Sequence, residues 1–82
     1  MSGTPSTRAT EYLGELCHQQ RKRHRRSLED VANQVGTSKS YLWEIEHGNC
    51  APSFMLVVRL CNALGLDISM MAIHVLMLSK AE

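Results

Sequence analysis

The sequence predicts an all-α fold built from five helices. Apolar residues recur at spacings of three and four along most of the chain, which is the period of an amphipathic helix. Serine, aspartate and glycine separate these stretches at distances typical of helix caps, and no stretch alternates apolar and polar residues as a half-buried strand does. The 82 residues suffice for one small domain with a modest core, but not for a large enclosed active site.

Charge is distributed unevenly along the chain, although the formal net charge is only +1. Residues 21–26, with the sequence RKRHRR, carry five of the nine lysine and arginine side chains, and we call this stretch the basic segment. The residues alone leave two interpretations open. The segment is either a solvated helix end, whose cations suit the negative end of the helix dipole, or a surface that binds phosphate.

The chain is expected to be a cytoplasmic protein that does not enter a membrane. Its longest apolar runs fall far short of the roughly 20 residues that cross a bilayer, and no signal peptide is visible near Met1. The three cysteines are odd in number and widely spaced, unlike a disulfide framework or a zinc site. Two of them, Cys17 and Cys61, fall on apolar helix faces, where a free thiol behaves as a small hydrophobic side chain.

The first helix is predicted over residues 9–24, after a loose N-terminal arm formed by residues 1–8. The arm contains small polar residues, glycine and proline without any period. The helix carries one apolar stripe, made of Ala9, Tyr12, Leu13, Leu16 and Cys17. Its last turns coincide with the basic segment.

Two short helices follow, separated by a tight turn at residues 36–38. Ser27 caps the second helix, with Asp30 three residues later as an imperfect capping box. Gly36 ends this helix because a residue without Cβ turns left-handed at low cost, and Ser38 caps the third helix. The apolar face of the second helix comprises Leu28, Val31, Ala32 and Val35. On the third helix, Leu42 and Ile45 point inward. The opposite side carries Lys39, Ser40, Trp43 and Glu44.

The last two predicted helices begin at Ser53 and Asp67. Gly48 stops the third helix, and the fourth ends at Gly65. The predicted inward face of the fourth helix comprises Phe54, Val57, Val58, Cys61 and Leu64. The fifth helix, residues 67–79, is apolar at nine of the eleven positions 68–78, more than packing on one small core requires. We expect the surplus to form a dimer interface through Met70, Ile73, His74 and Met77.

The second and third helices have the layout of a helix-turn-helix, whose second helix lies in the major groove of DNA. Residues 10–70 resemble the lambda-repressor-like family (Cro/repressor, XRE-type), most of all its short phage repressors and restriction-modification controllers. The resemblance combines a turn glycine, a small residue facing the turn and an E-x-G ending of the third helix. The matching positions are Ala32, Gly36, Ser38, Leu42, Ile45, Glu46, Gly48, Pro52, Leu64 and Gly65.

The resemblance implies which side chains contact base edges: Lys39, Ser40, Trp43 and Glu44. Lys39 suits guanine O6 and N7, Ser40 can pair with several bases, and Glu44 can accept a hydrogen bond from cytosine N4. Two contacts are open for the side chain of Trp43. It presses on a thymine methyl or the sugar backbone, or it covers the surface of the fourth helix.

The phosphate contacts are expected to differ from the family pattern. Leu28 stands where many members have a phosphate-binding glutamine. Family members often carry lysine or arginine just after the glycine at position 48, but residues 49–51 here are asparagine, cysteine and alanine. Phosphate contacts are therefore expected in and around the basic segment and at the recognition helix. The residues are Arg21, Arg23, Arg25, Arg26, Ser38, His47 and Asn49.

Arg21 has a second implied role. In the family, an arginine late in the first helix bonds the glutamate that ends the recognition helix, so we expect a partly buried structural ion pair between Arg21 and Glu46. No metal site, cofactor or catalytic centre is predicted. His18, His24 and His74 lack a second ligand at useful spacing, and no nucleophile, base and orienting residue converge in one segment.

The sequence thus predicts a transcriptional regulator that binds double-stranded DNA, and not an enzyme. We expect a homodimeric repressor on a palindromic operator, because two-fold related copies double the base contacts at half-sites about one DNA turn apart. Such a protein would be bacterial or phage-encoded and associated with the nucleoid when bound. The alternative is an antitoxin or adaptor that uses the same fold to bind a protein partner, which the near-neutral charge and the missing loop cations favour.

Overall fold

The computed structural model describes residues 8–69, which form four α-helices and no strand. Helix α1 spans Arg8–Arg23, α2 spans Leu28–Val35, α3 spans Lys39–Glu46 and α4 spans Phe54–Leu64. The all-α class is confirmed for this part of the chain, and Arg8, assigned to the arm, already belongs to α1. Most of the predicted fifth helix lies outside the described residues, as do the predicted dimer contacts Met70, Ile73, His74 and Met77.

Serine side chains determine where three of the helices begin. Ser27, Ser38 and Ser53 each take extended backbone, and each hydroxyl accepts the backbone N–H three residues later at 3.0–3.2 Å. Gly36 follows α2 with a φ of 78°, a left-handed conformation that a residue without Cβ adopts at little cost. The caps and the glycine therefore fix the bend between α2 and α3.

The core forms where α1 and α2 each pack against α3 and α4. Leucine, isoleucine, valine and two cysteine side chains from all four helices meet in a single cluster. Cys17 and Cys61 are fully buried in it, which confirms their predicted structural role. Burial, with Cys61 and Glu46 nearby, raises the pKa of the Cys17 thiol to about 12, so this thiol stays protonated at neutral pH.

The inward face predicted for α4 is wrong at its N-terminal end. Phe54 is 71% exposed and its neighbour Met55 is 58% exposed, whereas Leu56 and Leu60 are buried. The first five residues of α4 are all apolar, so helical spacing fits more than one inward face. Packing against α1 and α2 selects the face that contains Leu56, Leu60, Cys61 and Leu64.

A helix-interior glycine permits α1 to approach α3. A Cβ placed on Gly14 would lie 2.3 Å from the carbonyl oxygen of Ile45 and 2.8 Å from that of Glu46. Both neighbours are backbone atoms, which cannot rotate away as a side chain can. Gly14 therefore holds the end of α3 against the middle of α1, a role that the sequence analysis missed.

Candidate nucleic-acid interface

The outer side of α3 gathers the four side chains predicted to contact bases. Leu42 and Ile45, on the opposite side of this helix, are buried in the core. The four outward side chains, together with Leu28 at the start of α2, line a shallow depression of about 350 Å³. Three of them are exposed and the fourth, Glu44, is half-buried. We call this set the reading face, and its members are Lys39, Ser40, Trp43 and Glu44.

A stacked pair of rings forms one side of the reading face. Trp43 stacks on His47 with the ring centroids 3.7 Å apart and the planes 23° from parallel. His47 Nδ1 lies 2.8 Å from the backbone oxygen of Trp43, which fixes the imidazole against the indole. Trp43 stays 44% exposed, which favours its DNA-contacting alternative over a role as cover for α4.

The carboxylate of Glu44 is held by a neighbouring amide. Asn49 Nδ2 donates a hydrogen bond to Glu44 Oε1 at 2.9 Å. The other oxygen of Glu44 has no hydrogen bond of its own within residues 8–69, so it can accept one from a ligand. Asn49, predicted as a phosphate contact, thus also orients a predicted base contact.

A buried ion pair connects the end of α3 to the end of α1. Arg21 Nε and Nη2 donate to the two carboxylate oxygens of Glu46 at 2.7 and 3.1 Å, and Arg21 Nη1 donates to the backbone oxygen of Arg26 at 2.8 Å. The side chains of Arg21 and Glu46 are 9% and 3% exposed. His18 Nδ1 lies 2.9 Å from Glu46 Oε1 on the outer edge of the pair. This network fixes the orientation of α3 relative to α1.

The basic segment divides into internal and external cations. Arg26 donates from Nε to Asp30 at 2.7 Å and from Nη1 to the backbone oxygen of Ala63 at 3.2 Å, and its Nη2 contacts Gln34. Because the guanidinium groups of Arg21 and Arg26 bond within the protein, we leave both out of the proposed phosphate contacts. Lys22, Arg23 and Arg25 are exposed, with no ion pair inside the part of the chain that the structure describes.

Arg25 occupies a position that normally favours glycine. Its φ is 56°, the only positive φ of a non-glycine residue between positions 8 and 69. The backbone N–H of Arg25 bonds the oxygen of Lys22 at 3.0 Å, and that of Arg26 bonds the oxygen of Arg21 at 3.1 Å, which closes the end of α1. The left-handed turn points a cation outward at a cost of about 1 kcal/mol.

One cation near the turn was missed by the sequence analysis. Arg59 is exposed on α4, and its Nη1 lies 4.0 Å from the position of a Cβ built on Gly36. Its charge therefore sits beside the bend between α2 and α3. The only signal for it in the sequence is that Arg59 is the single charged residue of α4.

Ser38 uses its hydroxyl oxygen to cap α3 and remains exposed at the turn. Within residues 8–69, no group of three histidine, cysteine or acidic side chains is arranged to hold a metal ion. The helices described in that range are also too short or too polar to cross a bilayer.

Comparison with known families identifies the fold. Residues 5–72 match the family described as a helix-turn-helix domain. The chain belongs to the helix-turn-helix family. This confirms the helix-turn-helix resemblance found in the sequence. The prediction that the chain is not an enzyme agrees with the names of its relatives, which are regulators.

The helix-turn-helix domain is similar to named regulators. The transcriptional regulator ClgR of Mycobacterium tuberculosis is 35% identical over 63 residues, which are 77% of this chain and 56% of that protein. The chain thus spans little more than half the length of the curated relatives it matches. The crystal structure of the clp gene regulator ClgR from Corynebacterium glutamicum has a TM-score of 0.75 at 28% identity, covering 87% of this chain and 76% of that one.

A second type of solved structure shows the same fold at lower identity. The restriction-modification controller protein C.AhdI from Aeromonas hydrophila gives a TM-score of 0.70 at 22% identity, covering 76% of this chain and 94% of that chain. At this identity, the likeness concerns the fold alone.

Proposed function

We propose that the chain binds double-stranded DNA in a sequence-specific manner and regulates transcription as a homodimer, acting as a repressor on a palindromic operator. The observation that carries this proposal is the reading face, an exposed set of donors and acceptors on the second helix of a helix-turn-helix. Similarity to proteins named as transcriptional regulators supports it. The proposed domain comprises residues 9–82, with residues 67–79 as the dimerisation helix.

In the proposed complex, the N-terminal end of α3 enters the major groove. Lys39 and Ser40 lie in its first turn and meet base edges, while Glu44, one turn later, accepts a hydrogen bond with its unoccupied oxygen. Phosphates are contacted on both sides of the groove, and these contacts set the register of the protein on the duplex. The proposed phosphate contacts are Lys22, Arg23, Arg25, Ser38, His47, Asn49 and Arg59.

The proposed homodimer rests on the sequence of residues 67–79, with Met70, Ile73, His74 and Met77 as contacts. A two-fold axis would present two copies of the reading face to half-sites about one helical turn apart. A dimeric repressor would act by occupying the operator.

Substitution of the reading face tests this proposal. We expect Lys39→Ala, Ser40→Ala and Glu44→Ala each to change preference at particular base pairs by about 1–3 kcal/mol, because each side chain would contact its own base edge. Thermal unfolding should change little, since none of the three side chains belongs to the core. Lys22→Ala is the matched control, and it should weaken binding to all duplexes alike. If all three reading-face variants keep the base preferences of the parent, α3 is not the recognition helix.

The strained arginine provides a second test. Arg25→Gly is expected to raise the free energy of unfolding by about 1 kcal/mol by removing the left-handed strain. It should also reduce the slope of log affinity against log salt by about 0.9 for each protomer bound, because each protomer loses one phosphate contact. Arg25→Ala serves as the control, because it removes the charge and keeps the strain. A salt slope unchanged in both variants would assign Arg25 to a merely solvated helix end.

A protein-binding role is the second candidate, and exposed apolar side chains favour it. Phe54 and Met55 are adjacent at the start of α4 and both are more than half exposed. An antitoxin or adaptor would use such a surface for a protein partner. A variant with both Phe54→Ser and Met55→Ser should then lose binding to the protein partner. The reading-face variants should retain that binding.

A further inference from the structure

We infer that Leu28 makes the reading face selective for a pyrimidine that carries a C5 methyl group, and that thymine is the source of this methyl. The inference rests on the proposed function, since it concerns which base the reading face recognises. The observation behind it is the composition of the depression, in which a leucine from α2 lies beside the side chains of α3.

Leu28 provides a fixed aliphatic surface in this depression. It is the first residue of α2, held in place by the Ser27 cap, and it is half-buried because it packs against the core cluster. The remaining side chains of the depression are Lys39, Ser40, Trp43 and Glu44. Leu28 is therefore the only aliphatic side chain among them, and Trp43 already has one ring face stacked on His47.

Major-groove chemistry restricts what can lie against Leu28. Phosphate oxygens need hydrogen-bond donors, and desolvating them against aliphatic carbon is costly. Most of the groove edge consists of donors and acceptors, which suit Lys39, Ser40 and the unoccupied oxygen of Glu44. The apolar group that bases present there is the C5 methyl of thymine, and cytosine presents the same group when it is methylated at C5.

The experiment replaces single bases in an operator selected from random duplexes by the parent protein. Each thymine is changed in turn to deoxyuridine, which lacks only the methyl, and each cytosine is changed to 5-methylcytosine. At one position per half-site, the parent should lose affinity about fourfold with deoxyuridine, the effect of one buried methyl group. The ratio of the thymine and deoxyuridine affinities in one preparation does not depend on how much of the protein is folded.

Variants assign the effect to Leu28. In Leu28→Ala and in Leu28→Gln, which keeps most of the side-chain bulk, the ratio at that position should fall to about 1. Leu16→Ala is the matched control, because Leu16 is also half-buried against the core but does not line the depression, and it should keep the parent ratio.

The outcomes separate this inference from the proposed function. If the parent binds with unchanged affinity when deoxyuridine replaces thymine at every position in turn, the thymine assignment is overturned. If 5-methylcytosine also leaves the affinity unchanged at every position, methyl recognition is overturned altogether. A fourfold ratio that persists in both Leu28 variants overturns the role of Leu28. If no operator can be selected, sequence-specific DNA binding itself fails, and the inference fails with it.

Discussion

Gly14→Ala is expected to lower the free energy of unfolding by about 3 kcal/mol or more. The added Cβ would lie 2.3 Å from the backbone oxygen of Ile45, so α1 and α3 could accommodate it only by moving apart. The direction of this change is diagnostic. Glycine to alanine in an unobstructed helix interior ordinarily stabilises a protein by about 0.5–1 kcal/mol. Urea denaturation followed by circular dichroism measures the effect.

Gly65→Ala is the matched control for this substitution. Gly65 has a φ of 71° with open space around a would-be Cβ, so alanine there should cost only the conformational strain, about 1 kcal/mol. If Gly14→Ala is as stable as the parent, α1 and α3 do not approach as closely as the structure shows. Because α3 carries the reading face, the Gly14→Ala variant should also bind DNA poorly under conditions in which it is incompletely folded.

Removing either member of the buried ion pair is the other change with a large expected effect. Arg21→Ala and Glu46→Ala should each destabilise the domain by about 3–5 kcal/mol. Arg21→Ala leaves the buried Glu46 carboxylate with only the partly exposed His18, and Glu46→Ala leaves the Arg21 guanidinium with only neutral or imidazole partners. The double variant Arg21→Met with Glu46→Leu should be more stable than either single variant, since it leaves no unpaired charge. Chemical denaturation of all three variants measures this difference.

Glu15, an exposed residue of α1, serves as the control for the ion-pair variants. Glu15 accepts a hydrogen bond from Gln19 at 2.8 Å on the surface of α1, and Glu15→Ala should change stability by less than about 0.5 kcal/mol. If Glu46→Ala costs no more than Glu15→Ala, the ion pair does not hold α3 in place. Weak DNA binding by Arg21→Ala should follow from lost stability, so its base preference should match that of the parent at temperatures where it is folded.

Local signals in the sequence determined most of the fold. The serine caps and the glycine at position 36 predicted the starts of α2, α3 and α4 and the end of α2, because capping is a contact between near neighbours in the chain. The inward face of α4 was less predictable. An apolar run such as Phe54 to Val58 fits several inward faces, and only packing against the other helices selects one.

The candidate site shows the same division between local and long-range information. The positions of Lys39, Ser40, Trp43 and Glu44 on one face follow from helical spacing alone. The separation of the basic segment into internal and external cations does not, since Arg26 bonds Ala63 37 positions along the chain. Gly14 was missed for the same reason, because its role depends on backbone atoms of a different helix.

Selection of bound duplexes from a random DNA pool tests whether the reading face binds DNA in a sequence-specific manner. With the parent protein, we expect enrichment of an inverted repeat whose half-sites lie about 10–10.5 base pairs apart, one helical turn of DNA. Lys39→Ala under the same conditions should enrich a repeat altered at a defined position in each half-site. Failure of the parent to enrich any sequence would rule out sequence-specific DNA binding. Enrichment of the same sequence by a variant lacking Lys39, Ser40 and Glu44 together would rule out base recognition by α3.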